Sequence, residues 1–249
     1  MKRNSLFKST HFSIVIFMLF AGCSKDDEAT PKLTVITKEV LVQSGETQTI
    51  VVESDFPVSF FSANGFHATI NKEGIVKGYK VGKTEIIVEC EGEAIKVPVE
   101  TIGNHNLFKE PILDWTLKRT NIISAYGTPD VDKVEAIGYQ YSGTKGLFYY
   151  FDELTKVEGV LVLISKLAVD SLIDYLDERY VYIGNSDGGG IILINAYEPE
   201  EASTAIRVVE DEEYIIVAYF PISSLELKSI DKANEPITEI IRHMLSKIR

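Results

Sequence analysis

Three features of the sequence predict a multidomain chain: an all-β sandwich followed by an α+β domain built as helix then antiparallel sheet, twice. Short β-branched runs punctuated by glycine or polar residues fill residues 33–99, with no helical periodicity. From Leu107 onward, apolar residues at helical spacing alternate with strand-like runs whose connecting loops are too short for parallel crossovers. The polar, turn-rich stretch 102–106 separates the two patterns. The predicted domains are therefore 32–103 and 104–249, preceded by an export signal over 1–22 and a tether over 23–31.

The chain begins with Lys2, Arg3 and Lys8, continues through the apolar run 12–20, and reaches the small residues Ala21 and Gly22 before Cys23. A basic start, a short apolar stretch and small residues at a cleavage point are the parts of a secretory signal. Nine residues are too few to span a bilayer core, which needs about 20. Leu19-Phe20-Ala21-Gly22-Cys23 resembles the lipobox of bacterial lipoproteins, with Phe20 where that family usually has Leu, Val or Ile. The resemblance implies that Cys23 becomes the first residue and carries the acyl chains. Several chains together anchor stably, at about 0.8 kcal/mol per buried methylene. The residues that follow, Ser24-Lys25-Asp26-Asp27-Glu28, resemble the export signal of surface-displayed lipoproteins in some Gram-negative bacteria. Together these imply an outer-membrane, cell-surface location.

The chain of 249 residues carries a net charge of −12. Removing residues 1–22 takes away three basic and no acidic residues, which brings the mature chain to −15. Such acidity opposes nucleic-acid binding, which needs clustered Lys and Arg, and leaves membrane attachment to the acyl chains. Of the two cysteines, acylation of Cys23 leaves Cys90 alone at the end of a strand-like run, where it reads as a small buried hydrophobe.

In the first domain, runs at 33–36, 39–42, 49–52, 58–61, 68–70, 75–79, 84–90 and 94–99 read as successive strands of a meander. Turn glycines at Gly65, Gly74, Gly78 and Gly92 punctuate them. The stretch Ile70-Asn-Lys-Glu-Gly74-Ile-Val76-Lys-Gly78-Tyr-Lys-Val81-Gly82-Lys-Thr84-Glu-Ile86 resembles the C-terminal half of a group 2 bacterial Ig-like domain. The resemblance covers residues 31–101 and implies a spacer or stalk, with an adhesive module as the alternative.

In the second domain, Asp114 is the expected N-cap of a helix over 115–126, with Trp115, Ile122, Ile123 and Tyr126 on its apolar side. Gly127 and Pro129 end it. Strand-like runs follow at 134–141, 147–151 and 157–164. Val169, Leu172, Ile173, Leu176 and Tyr180 then form the stripe of a second helix, followed by runs at 180–184, 190–197, 204–209 and 214–220. At the end, Pro236 opens a predicted helix whose Ile237, Ile240, Ile241, Met244, Leu245 and Ile248 share one face. That face is expected to bury on the sheet, with a partner as the alternative. The element order and the Tyr126-Gly127-Thr128-Pro129 helix ending resemble SmpA-type outer-membrane assembly lipoproteins and the tandem-repeat β-lactamase inhibitor proteins. Both families are non-enzymatic and hold other proteins.

Motifs for chemistry are sparse. His67, His105 and His243 are scattered, with no His-x-x-x-His or Cys-x-x-Cys spacing, no Gly-x-Ser-x-Gly elbow and no phosphate-binding glycine loop. The acidic groups Glu198-Pro-Glu200-Glu201 and Glu210-Asp211-Glu212-Glu213 lie between strand-like runs and read as solvated turns. The expectation is a non-enzyme without cofactor, metal or catalytic residues, with Cys23 the one assigned modification site. Nine tyrosines (Tyr139, Tyr141, Tyr149, Tyr150, Tyr180, Tyr182, Tyr197, Tyr214 and Tyr219) read as core and cross-strand pairs. On a shared exposed face they would instead form a platform. The expected partner of the α+β domain is a protein, and a glycan is the alternative, as in an accessory lipoprotein of a polysaccharide-capture system.

Overall fold

The computed structural model describes residues 33–186 and 189–224, all within one compact unit. The export signal, Cys23, the tether, His243, the C-terminal helix and Asp187-Gly188 lie outside the described residues. What is described is mostly β-structure arranged in several sheets.

Nine strands make up the N-terminal part: β1 (Leu33–Val35), β2 (Val40–Gln43), β3 (Thr47–Thr49), β4 (Val52–Ser54), β5 (Ser59–Ser62), β6 (Ala68–Ile70), β7 (Ile75–Gly78), β8 (Gly82–Cys90) and β9 (Glu93–Ile102). They form three sheets, ordered β1-β4, β2-β9-β8-β5 and β3-β7-β6. Alternation along β8 and β9 turns Ile86, Val88, Cys90, Val97 and Val99 inward. They meet Val35, Val40, Val42, Ile50, Ala68 and Val76 in one core. Cys90 is buried there, its sulfur 3.2 Å from Ser54 Oγ. The meander expected from the sequence is corrected: β2 pairs in parallel with β9, from Val40 opposite Val99 to Gln43 opposite Ile102. Parallel neighbours cannot be joined by a hairpin, so the chain crosses between sheets before closing this one.

The C-terminal part contains α1 (Arg119–Tyr126), β10 (Val131–Asp132), β11 (Ala136–Tyr139), β12 (Gly146–Phe151), β13 (Val157–Ser165), α2 (Val169–Asp177), β14 (Val181–Asn185), β15 (Ile191–Ile194), β16 (Thr204–Glu210) and β17 (Tyr214–Pro221). Its eight strands form a single antiparallel sheet, ordered β10-β11-β12-β13-β17-β16-β15-β14. Two four-stranded meanders thus meet through their last strands, with Leu161 opposite Ala218 at the seam. One face carries the cross-strand row Ile137, Tyr149, Val160, Tyr219, Ile206 and Leu193. Onto this face pack Ile122 of α1 and Leu172, Tyr175 and Leu176 of α2. Each such side chain contributes about 1.5–3 kcal/mol on full burial.

Two helix expectations are corrected. The first helix starts at Arg119, four residues later than the spacing predicts. Asp114 does not cap it: Asp114 Oδ1 accepts from the Thr116 amide at 2.9 Å and from its hydroxyl at 2.6 Å. The Val157 amide claims the carbonyl of Leu117 (2.9 Å), and the Arg119 amide donates to Thr155, so residues 117–119 run alongside the β12–β13 hairpin. Trp115 is held away from the helix by its indole N–H, which donates to Thr204 Oγ1 at 3.1 Å. In α2 the inward stripe is Leu172, Tyr175 and Leu176, so Val169 and Ile173 of the predicted stripe face solvent.

Candidate functional site

Three places hold the side chains that could serve a function: a buried tyrosine cluster, the junction beside it, and the outer face of α2. The cluster forms where residues 107–113 cross the helix-covered face of the sheet. Phe108 stacks on Tyr175 with ring centroids 4.4 Å apart, and Tyr126 touches the rings of Tyr139, Tyr141 and Tyr149 at 5.3–5.8 Å. The Ile112 amide donates to Tyr149 Oη at 2.9 Å, and that hydroxyl donates to Tyr126 Oη at 3.0 Å. Tyr180 donates its hydroxyl to the carboxylate of Glu110. The hydroxyls of Tyr175 and Tyr219 are buried without a hydrogen-bond partner among the described residues.

This cluster is built for neutrality. Burial pushes the carboxyl of Glu110 above its ordinary range, against the opposing pull of the Arg179 charge. Burial likewise drives the phenols of Tyr149, Tyr175 and Tyr219 well upward, so none is available as a phenolate. What the arrangement does is tie residues 107–113 onto the sheet.

A pH dependence follows. In the fold Glu110 keeps a proton that the unfolded chain gives up near its ordinary value of 4.5. Stability from this group is fully present below that pH and is lost as pH rises through the elevated folded value. Glu110→Gln, which stays neutral, is expected to flatten the decline in melting temperature between pH 4.5 and 8. Parallel melting curves for parent and variant across that range would count against it.

At the junction, Glu178 follows the last residue of α2 and its carboxylate accepts the amides of Asn104 and His105, each at 2.9 Å. The His105 ring lies 3.2 Å from the same carboxylate, and the Glu178 carbonyl accepts from the Val81 amide at 2.8 Å. Burial would raise the Glu178 pKa, but the amides of His105 and Asn104 and the His105 charge outweigh it, and the net shift is downward. The carboxylate is therefore ionised at neutral pH, and its contribution is lost only as pH falls through that lowered value. Arg179 stacks 3.7 Å above the Tyr175 ring and donates to the carbonyls of Tyr175 and His105. Phe66 meets Tyr197 edge-on at 5.1 Å. The N-terminal strands thus meet the C-terminal part through the Val81–Glu178 backbone hydrogen bond and the Phe66–Tyr197 ring contact. A Cβ on Gly103 would lie 2.7 Å from Glu178 Oε2, so a side chain there would displace the carboxylate.

On α2, Val169 and Ile173 are one helical turn apart, 42% and 59% exposed, and Leu167 just before them is 99% exposed. Asp170, Asp174 and Asp177 stand on the same exposed surface of the helix.

Of the nine tyrosines singled out in the sequence, Tyr139, Tyr149, Tyr150, Tyr180 and Tyr219 are buried, Tyr141 and Tyr214 are half-buried, and Tyr182 and Tyr197 are exposed. They do not form a shared exposed platform. Glu198, Glu200 and Glu201 sit at a one-turn helix (Pro199–Glu201), and Glu210 pairs with Lys166 at 2.8 Å. Among the described residues no group of His, Cys, Asp or Glu stands close enough to hold a metal ion, and no helix is long and apolar enough to cross a membrane. Sequence reasoning missed Glu110, Tyr175, Glu178 and Arg179. Tyr175 was readable as i+3 from Leu172, whereas Glu110 and Glu178 carry no periodic signal.

No family model matches the chain. It is 29% identical over 93 residues to DNA damage-binding protein 1 of Solanum lycopersicum, and equally to that of Solanum cheesmaniae. The match takes in 37% of this chain, and the chain spans about 8% of the length of these curated relatives. Among solved structures, domains 4 and 5 of the S-layer protein SbsC align at 21% identity over 29% of this chain and 54% of theirs, with a TM-score of 0.27. Domains 5–6 of the same protein align at 13% identity over 77% and 85%, with a TM-score of 0.26. At these values neither likeness assigns a family or a fold.

Proposed function

We propose that this chain is a non-enzymatic lipoprotein, anchored through Cys23 in the outer membrane and exposed at the cell surface, in which an Ig-like stalk presents an α+β protein-binding module. The observation that supports binding is the outer face of α2. Its inward stripe already buries Leu172, Tyr175 and Leu176, yet Val169 and Ile173 continue the apolar surface outward, extended by Leu167 and flanked by three aspartates. Apolar side chains gathered at one exposed place serve a partner better than they serve the fold. The flanking carboxylates favour a partner whose apolar pocket is rimmed by Lys or Arg. The hydrogen-bonded junction supports the stalk reading, because a rigid support presents a surface without the entropy loss of ordering a linker. A glycan partner would draw on exposed coplanar aromatics. Tyr182 and Tyr197 are the exposed members of the tyrosine set, and Tyr197 is already engaged by Phe66.

The double variant Leu167→Glu/Ile173→Glu in the mature chain is expected to abolish capture of the native surface partner, at least tenfold in affinity, while circular dichroism and melting temperature stay unchanged. Full retention of binding would refute this assignment.

A further inference from the structure

The eight-stranded sheet has a second apolar face, on which neither α1 nor α2 packs. Phe148, Tyr150, Leu161, Leu163, Ile216 and Ala218 are each 7% exposed or less. They cluster with Ala136 and the partly buried Val131, all of them strand residues of this same sheet. The helices α1 and α2 pack on the opposite face. Side chains standing side by side on one sheet face shield each other's flanks and leave their tips to solvent, so burial this complete needs a further layer.

We propose that residues 225–249 of the same chain form that layer, folding back from the end of β17 and laying the apolar side of a helix over 236–249 on this face. Four observations lead to this occupant. The strand that precedes the segment is central, between β13 and β16, so the chain emerges in the middle of the sheet rather than at an edge. Its exit is aimed at the right side: Ile222, just past the strand, packs with Phe220, Ala205 and Ile194, which share the second face with Ala218. The length fits as well. Fourteen helical residues span about 21 Å at 1.5 Å per residue, which matches four strand spacings of about 4.8 Å. The eleven residues before Pro236 supply ample return length at about 3.3 Å each.

The face is also shaped for a helix. The Phe148 ring lies flat along the sheet over Gly138 and Gly146, where an added Cβ would come within 2.5 Å and 2.8 Å of ring carbons. With Ala136, Gly159 and Ala218 around it, the surface has low relief, so a helix can approach it closely. On the segment, Ile237, Ile240, Ile241, Met244, Leu245 and Ile248 form the matching stripe.

The test is photo-crosslinking of the mature chain with photo-leucine incorporated, using a mixture of ¹⁴N- and ¹⁵N-labelled protein. The expected result is a link from Leu161 or Leu163 to a peptide within 236–249 of the same isotope label. Links between differently labelled chains, links only to other segments, or no link at all would overturn the proposal. As a second measurement, Ile241→Asp is expected to raise the fluorescence of a bound hydrophobic dye several-fold, while Ser246→Asp, on the opposite side of the predicted helix, leaves it unchanged. Equal dye binding by the two variants would likewise overturn it.

Discussion

Replacing Tyr149 with alanine is expected to lower the unfolding free energy by about 3–5 kcal/mol, the cost of emptying a fully buried aromatic site. Tyr149 stands at the centre of the helix-covered face, opposite Ile137 on one side and Val160 on the other, with no exposed surface. Its ring supports Tyr126, and its hydroxyl holds the Ile112 amide, so one deletion opens a cavity and frees the strap over 107–113. The two contributions separate by substitution. Tyr149→Phe keeps the ring and loses the hydroxyl, which should cost about 0.5–1.5 kcal/mol. Tyr219→Phe removes a hydroxyl that is buried without a partner among the described residues, and should cost nothing or stabilise. Urea titrations of the three variants check the order Tyr149→Ala, then Tyr149→Phe, then Tyr219→Phe. A Tyr219→Phe variant weaker than Tyr149→Phe would reverse the reading of the cluster.

The second large effect concerns anchoring. Under the lipoprotein proposal, Cys23→Ala is expected to eliminate palmitate labelling completely and to move the protein from the detergent phase to the aqueous phase. No other cysteine substitutes for it, because Cys90 is buried in the N-terminal core. Each acyl chain contributes about 0.8 kcal/mol per buried methylene, so the change in partitioning is all or nothing in practice. Unreduced labelling of the Cys23→Ala protein would remove the anchor from the proposal.

Local pattern was enough for the strands of the sheet and not for their partners. The runs 147–151, 157–164, 204–209 and 214–220 coincide within a residue or two with β12, β13, β16 and β17. Long β-branched and aromatic runs bounded by glycine or acidic turns leave little else for the backbone to do. The buried fate of most tyrosines was legible too, since a large ring on such a run gains more from burial than its hydroxyl loses.

Five features were decided only by tertiary contacts. The parallel pairing of β2 with β9 joins Val40 to Val99, and the seam of β13 with β17 joins Leu161 to Ala218. Both partners lie more than fifty residues away, beyond any periodicity. The late start of α1 depends on Val157 and Thr155 claiming the backbone of residues 117–119, which outweighs the local helix signal at Asp114. The rotation of α2 follows from Tyr175: burying an aromatic ring against Phe108 and beneath Arg179 outweighs burying Ile173. Glu110, finally, is an ordinary loop carboxylate in sequence, and becomes a buried group with a raised pKa because residues 107–113 are laid across Tyr180 and the sheet. The sequence by itself therefore determined where strands form and which side chains are apolar enough to bury. Which of those surfaces were buried, and against what, depended on free energies summed over residues far apart in the chain.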